Sequence, residues 1–318
     1  MSDDISSYKE KVSKIKIAVI GDSTIDRYTV ASAKRISPEA PIPALNVDKE
    51  YYRIGASFNA VESILNLGAK VAYFTVTGSD LEGQQFAREL ERNNVATHWV
   101  FPEKEMKTTS IHRVISDGYL MLWMEKSRVN KISKNTERMI IEKLDVEDVN
   151  AIVLSDHGRG TITEGLLKGI SAKAKTRNIP VLINGRGGSV NNYNGVDYIR
   201  ISREDSFKAT GITLINDTSY RNTAIKIASL TGAKGVVITW LEDGFYIING
   251  KKFTHIAPLH VRPVNLVGIG DTITSIIALF MSAGLSLEES SRIAYYGGVL
   301  ASISTRRSPQ SFDKLAKF

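Results

Sequence analysis

The sharpest chemical signal in the chain is Asn265-Leu-Val-Gly-Ile-Gly-Asp-Thr272. Gly268 and Gly270 precede Asp271, and an apolar helix is expected over 272–283. Glycines ahead of a helix free backbone N–H groups to face an anion. An aspartate placed there can take the proton of an incoming hydroxyl. Together they describe phosphoryl transfer: a base for the acceptor and a positive cradle for the migrating charge. A glycine-rich turn with a capping aspartate accounts for the same residues without any chemistry.

Three further clusters accompany it. Gly21-Asp-Ser-Thr-Ile-Asp-Arg-Tyr28 brings Asp22 and Asp26, whose carboxylates can accept hydrogen bonds from sugar hydroxyls; a solvated loop with a cap is the alternative. The Pro-stiffened Arg35-Ile-Ser-Pro-Glu-Ala-Pro-Ile-Pro43 follows it. Gly55-Ala-Ser-Phe-Asn59 heads a helix, and Ser155-Asp-His-Gly-Arg-Gly160 follows a strand. His157 has no partner at i, i+4, which argues against a metal role, and no histidine pair at ligand spacing exists. There is no Gly-x-x-x-x-Gly-Lys-Ser/Thr loop, and no Gly-x-Gly-x-x-Gly after the first strand. A P-loop enzyme, a zinc hydrolase and a Rossmann dehydrogenase are therefore disfavoured.

The elements that must position these groups alternate. Short apolar runs at 16–20, 71–76, 151–155, 180–183, 198–201 and 235–239 read as buried strands, the first ending at Gly21. Stretches of helical spacing separate them at 58–67, 82–93, 135–144, 163–176 and 219–231. This predicts an α/β fold: a doubly wound, mostly parallel sheet with helices on both faces. Ligands of such sheets bind beyond the carboxyl ends of the strands, which directs attention to Asp22, Gly78, Asp156, Asn184, Ser202 and Trp240. Two segments, about 28–53 and 97–126, break the rhythm, and Asp117-Gly118 between strand-like arms signals a hairpin. They are expected to form a small β lid beside the main sheet. No repeat or linker divides the 318 residues, so one domain is expected.

Composition narrows the chemistry further. With no cysteine, thiol nucleophiles, disulfides and Cys-ligated metals are excluded. The net charge of +7 comes from scattered residues, the densest group being Arg306-Arg307. That argues against nucleic-acid binding and suits phosphorylated small molecules. No apolar run approaches a membrane span, and the polar N-terminus lacks an apolar signal core, so a cytoplasmic protein without membrane association is expected.

The four clusters, in this order, resemble the ribokinase-like (PfkB) carbohydrate kinases over essentially the whole chain. Gly21-Asp-Ser-Thr-Ile-Asp-Arg-Tyr28, Arg35-Ile-Ser-Pro-Glu-Ala-Pro41 and Ser155-Asp-His-Gly-Arg-Gly160 are most similar to the heptose-7-phosphate kinase half of the bifunctional enzymes of ADP-heptose synthesis, which makes a lipopolysaccharide precursor. The resemblance implies transfer of the γ-phosphoryl of MgATP to a sugar hydroxyl, in this branch the anomeric one. It implies Asp271 as base and Gly268, Ile269 and Gly270 as anion hole. Asp22, Asp26, Arg35, Gly55, Asn59 and Asp156 fall on sugar-side positions, and Thr239 and Gly244 on the nucleotide side. Arg113, Arg159 and Arg186 are basic residues suited to phosphate. A monovalent cation and a homodimer through the lid also belong to the family's pattern. The nucleotidyltransferase half is not expected in this length.

Departures concentrate on the nucleotide and metal side. The family's Asp-Thr-x-Gly-Ala-Gly-Asp is here Asn265-Leu-Val-Gly-Ile-Gly-Asp271. Its paired glycines are Gly55-Ala56, and its Asn-x-x-Glu for magnesium is Ser202-Arg-Glu-Asp205, leaving Asp205 as the metal-side carboxylate with Glu204 beside it. Its Asp-Pro-Lys is Asn184-Gly-Arg186, Tyr295 stands at a nucleotide-side Asn, and Arg306 stands at a cation-turn Gly. In the lid, Trp123 replaces a basic residue and Glu125 an aspartate. Two readings follow: an active sugar kinase, or a weakened relative that binds a sugar or a partner without phosphoryl transfer.

Overall fold

The computed structural model describes residues 5–303 and 311–317. Arg306 and the pair it forms with Arg307 lie outside them. A short 3-10 turn, Ile5–Tyr8, leads into α1 (Lys9–Lys14), then β1 (Lys16–Ile36), β2 (Pro43–Ala56), α2 (Phe58–Asn66), β3 (Lys70–Gly78) and α3 (Leu81–Arg92). The lid side follows with β4 (Val100–Glu103), β5 (Thr109–Ser116) and β6 (Tyr119–Lys126). The second half alternates α4 (Lys134–Asp145), β7 (Ala151–Ser155), α5 (Glu164–Arg177), β8 (Val181–Gly185), β9 (Tyr198–Ser202), α6 (Arg203–Thr210), α7 (Asp217–Thr231) and β10 (Gly235–Trp240). It closes with the hairpin β11 (Gly244–Asn249) and β12 (Lys252–Ile256), then α8 (Ile269–Ser282), α9 (Leu287–Ser302) and α10 (Phe312–Leu315).

The main sheet runs β12-β11-β10-β9-β8-β7-β1-β3-β4 and is parallel except for the β10-β11-β12 edge. Strand alternation divides the core as a doubly wound sheet requires. Ile17, Val19, Ala151 and Val153 point into one apolar cluster with α2, α8 and α9. Ala18, Ile20, Ile152 and Leu154 point into the other, with α4, α5 and α7. Side-chain caps fix where the helices start: Asp80, Ser133 and Thr163 each accept from an N–H of the first turn of α3, α4 and α5. Asn216 and Ser286 complete capping boxes on α7 and α9.

Two expectations need correction. The first strand does not stop at Gly21 but runs on to Ile36, 21 residues in all, out of the main sheet and into the lid. Gly21 is the point of closest approach rather than a breaker: a Cβ there would lie 2.5 Å from the Ser155 carbonyl oxygen and 2.8 Å from the Ser57 Cβ. The lid has the order β2-β1-β5-β6, with β1 pairing antiparallel to β2 and parallel to β5. Part of the expected lid segment 97–126, the strand Val100–Glu103, instead joins the main sheet beside β3. The Asp117-Gly118 hairpin is present, both residues with positive φ (52° and 85°), as a tight turn with matched twist demands.

Candidate active site

The carboxyl ends of β7, β8 and β9 meet the first turn of α8 through Ser155, Asn184 and Arg200, with the Asp22 stretch of β1 and Thr239 at the end of β10 beside them. Gly268 caps that helix at φ 75°, with the Asn59 side chain packed where its Cβ would be, 2.5 Å away. Gly270 is equally constrained: a Cβ would lie 2.4 Å from Arg200 Nη1 and 2.9 Å from Asn184 Oδ1. The helix start thereby brings its unpaired N–H groups and their partial positive charge to the strand ends.

Asp271 is 1% exposed and ringed by donors. Ser155 Oγ donates to its Oδ1 at 2.6 Å and Asn184 Nδ2 to the same oxygen at 2.8 Å. The His157 Nε2 lies 3.1 Å from Oδ2 and 3.1 Å from Ser155 Oγ. Burial raises the Asp271 carboxyl, but the His157 charge and these hydrogen bonds win, holding it below the usual carboxylate range. Burial likewise lowers the His157 imidazole, and Asp271, with Asp22 and Asp156 behind it, more than offsets that and raises it.

The loop after β7 is pinned by Asp22, which is fully buried. Its Oδ2 accepts from the backbone N–H of His157 (2.8 Å) and Arg159 (3.0 Å), and its Oδ1 from that of Thr161 (2.9 Å). Asp156 accepts from the Gly158 N–H at 2.7 Å and from the Tyr193 hydroxyl. Burial, reinforced by Asp22, raises its carboxyl. Arg186 bonds the His157 carbonyl from outside.

The site includes one residue that the sequence reading passed over. Arg200, on β9, donates to Asn184 Oδ1 at 2.8 Å and to Thr239 Oγ1. Burial lowers its guanidinium to about 10, against the pull of Asp271 and Asp205, so it stays charged near neutral pH. Its signal was available: an arginine inside a strand covered on both faces is rarely structural padding.

The other expected residues divide clearly. Asp26 pairs with Arg113 at 2.7 Å where the lid meets the core, and a Cβ on Gly55 would strike Thr24 Oγ1 at 2.3 Å, so the two strands close tightly there. The Asn59 Oδ1 is buried without a hydrogen-bond partner beside Gly268. Glu125, on the lid, pairs with Arg159 on the pinned loop. Arg35 is not brought to the site: it is exposed near the lid tip, opposite Ala44. It lies thirteen positions beyond Asp22 along one strand, on the order of 40 Å at the usual rise.

Of the residues expected on the nucleotide side, Thr239 accepts from Arg200, and Gly244 sits at φ 86° where a Cβ would strike the Ile256 carbonyl. Tyr295 is buried, and its hydroxyl accepts from the Leu259 N–H at 2.6 Å and donates to the Leu241 carbonyl at 3.1 Å. Ser202 caps α6 and donates to Asp205 Oδ2 at 2.8 Å, and the Gly187 N–H donates to Asp205 Oδ1 at 3.1 Å. Glu204 pairs with Lys208 at 2.7 Å on the surface. Among the described residues no cluster of three metal-ligating side chains forms. With both Asp205 oxygens already engaged and Glu204 paired with Lys208 on the surface, these donors do not fit a resident magnesium site.

A glycine-flanked helix start, a buried aspartate in its first turn and a charged arginine behind it thus lie together at the strand ends of a doubly wound sheet. The chain belongs to the pfkB family of carbohydrate kinases, which it matches over residues 14–309. Among curated proteins it is similar to the bifunctional protein HldE of Sulfurimonas denitrificans, 31% identical over 282 residues, covering 88% of this chain and 59% of that one. The HldE of Trichlorobacter lovleyi is 29% identical over 293 residues, covering 91% and 60%. The chain thus spans about 60% of the length of these relatives. Among solved structures, phosphofructokinase-2 from Escherichia coli in complex with substrates and products superposes with a TM-score of 0.75 at 19% identity, covering 96% of this chain and 97% of that one. The same enzyme in complex with potassium gives 0.76 at 18% identity, with the same coverage. The fold is therefore the ribokinase-like α/β fold. Among the described residues, no helix is long and apolar enough to cross a membrane.

Proposed function

We propose that this carbohydrate kinase uses ATP to phosphorylate a sugar that already carries a phosphate, with the anomeric hydroxyl of a heptose 7-phosphate as the favoured acceptor. The observation that carries this reading is the placement of Asp271 inside the first turn of α8, with Arg200 directly behind Gly270. Asp271 takes the acceptor's proton as its oxygen attacks the γ-phosphorus and the bond to the β-phosphate oxygen breaks. The N–H groups of Gly268, Ile269 and Gly270 and the Arg200 guanidinium stabilise the charge that moves onto the phosphate oxygens. Magnesium arriving with the nucleotide would supply charge neutralisation to its phosphates. The likeness to the HldE proteins supports the heptose and its phosphate.

Purified protein with MgATP and heptose 7-phosphate is expected to release ADP. Asp271→Asn is expected to lower turnover by about 10²–10⁴, the usual worth of a general base. No turnover with any sugar or sugar phosphate, despite sugar binding, would refute the reading. That outcome would favour a binding protein that has lost phosphoryl transfer, a reading supported by the engaged oxygens of Asp205. Calorimetry separates the two, since the second reading expects no MgATP binding.

We also infer a homodimer through the lid. Both faces of β6 are exposed, Leu120 at 57% and Trp123 at 48%, a larger apolar strand than a solvated edge tolerates.

A further inference from the structure

His157 stands between the buried base and solvent. Its side chain is 31% exposed, while Asp271, against which its Nε2 rests, is 1% exposed. The other two donors to Asp271, Ser155 and Asn184, are themselves buried. Among the described residues, the imidazole is therefore the one partner of Asp271 that both titrates near neutral pH and reaches water. The backbone holds it there firmly: its N–H is fixed by Asp22 and its carbonyl by Arg186.

We propose that His157 is a positioning residue that gates the base, Asp271 accepting the acceptor's proton only while His157 is neutral and passing that proton to solvent through the imidazole. This rests on the phosphoryl-transfer reading above. In the imidazolium form, Nε2–H donates to Asp271 Oδ2 and the ion pair leaves the carboxylate too weakly basic to take a second proton. In the neutral form with the proton on Nδ1, the bare Nε2 accepts from Asp271 once it is protonated. The sequence of bonds balances: the acceptor O–H breaks, its proton goes to Asp271 Oδ2, the oxygen's electron pair forms the new O–P bond, and the old O–P bond leaves with ADP. The proton then moves to His157 Nε2 as the Nδ1 proton departs to water, and proton exchange with solvent restores the Nδ1–H tautomer for the next turnover.

The charged groups facing His157 come from every element around it. Asp271 on α8, Asp22 on β1 and Asp156 after β7 favour the imidazolium. Arg186 after β8 lies on its carbonyl side, and Arg200 on β9 lies beyond Asn184. The three carboxylates together outweigh burial, so the gate opens on the alkaline side of the ordinary imidazole value.

Two measurements on the full chain test this. Imidazole NMR, with the His157 signal identified by its loss in His157→Gln, is expected to show titration above the ordinary value of about 6.5 and a fall of about one unit or more in Asp271→Asn. A midpoint at or below the ordinary value, or one unmoved by Asp271→Asn, overturns the proposal. In the wild type, kcat/KM for the sugar is expected to fall about tenfold per pH unit below that midpoint. His157→Gln keeps a donor to Asp271 but cannot titrate, so that limb should vanish. A limb retained in His157→Gln, or an equal loss at every pH, overturns the proposal. If Asp271→Asn does not fold, the His157→Gln profile decides alone. If no acceptor is phosphorylated while the imidazole titrates high and falls in Asp271→Asn, the coupled pair is upheld and the kinase reading fails by itself.

Discussion

Replacing Asp22 with alanine gives the sharpest division between two roles for a buried carboxylate. As a sugar ligand, Asp22 should matter to sugar affinity and little to stability. As the pin of the loop after β7, it should matter to both. Its two oxygens accept three backbone N–H groups at 2.8, 3.0 and 2.9 Å in a site with no exposure. Each buried donor left without a partner costs about 1–3 kcal/mol, and water entering the small gap recovers part of it, so a net loss of about 4 kcal/mol is reasonable for the three. For a chain of this size each kcal/mol moves Tm by about 2 °C, which places Asp22→Ala roughly 8 °C below wild type. Calorimetry or thermal shift reads this directly. Because the same loop carries His157 to Asp271, kcat should fall along with sugar affinity. A variant with unchanged Tm and a selectively raised KM for sugar would refute the pinning argument and return Asp22 to direct sugar contact.

Two further expectations rest on separate features. Gly270→Ala should cost about 1–3 kcal/mol, because its Cβ would enter the space of Arg200 Nη1, and should weaken ATP affinity more than sugar affinity; an unaltered nucleotide KM would count against Arg200 as a phosphate-side group. Light scattering should find a dimer that Leu120→Glu combined with Trp123→Glu converts to monomer; a monomeric wild type would dispose of the lid interface.

Much of the fold was legible because parallel strands covered on both faces are written as short apolar runs. The runs at 151–155 and 235–239 match strands almost residue for residue. The continuation of β1 was not legible. Asp22, Ser23 and Asp26 break the apolar pattern, and their burial depends on partners from remote segments: the loop of His157, the Val76 carbonyl and Arg113. The glycine-aspartate motif singled out Asp271 by local spacing alone. Its environment could not be read that way, since Ser155, His157 and Asn184 lie 116, 114 and 87 positions from Asp271. The place of Arg35 was illegible for the opposite reason: a distinctive local motif says nothing of how far a strand carries it.

The shared strand β1 also bears on how such a site can open. A lid joined by loops swings like a door, whereas this one is an extension of a core strand with ladder partners on either side of Gly21. Its displacement must bend the sheet itself, as a leaf spring bends, and the elastic restoring force originates in the apolar layers that clamp Ile17 to Ile20. Amide hydrogens along Ile25–Val30 should then exchange nearly as slowly as those of the core, and substrate entry should soften with anything that loosens the distant helices α2 and α8.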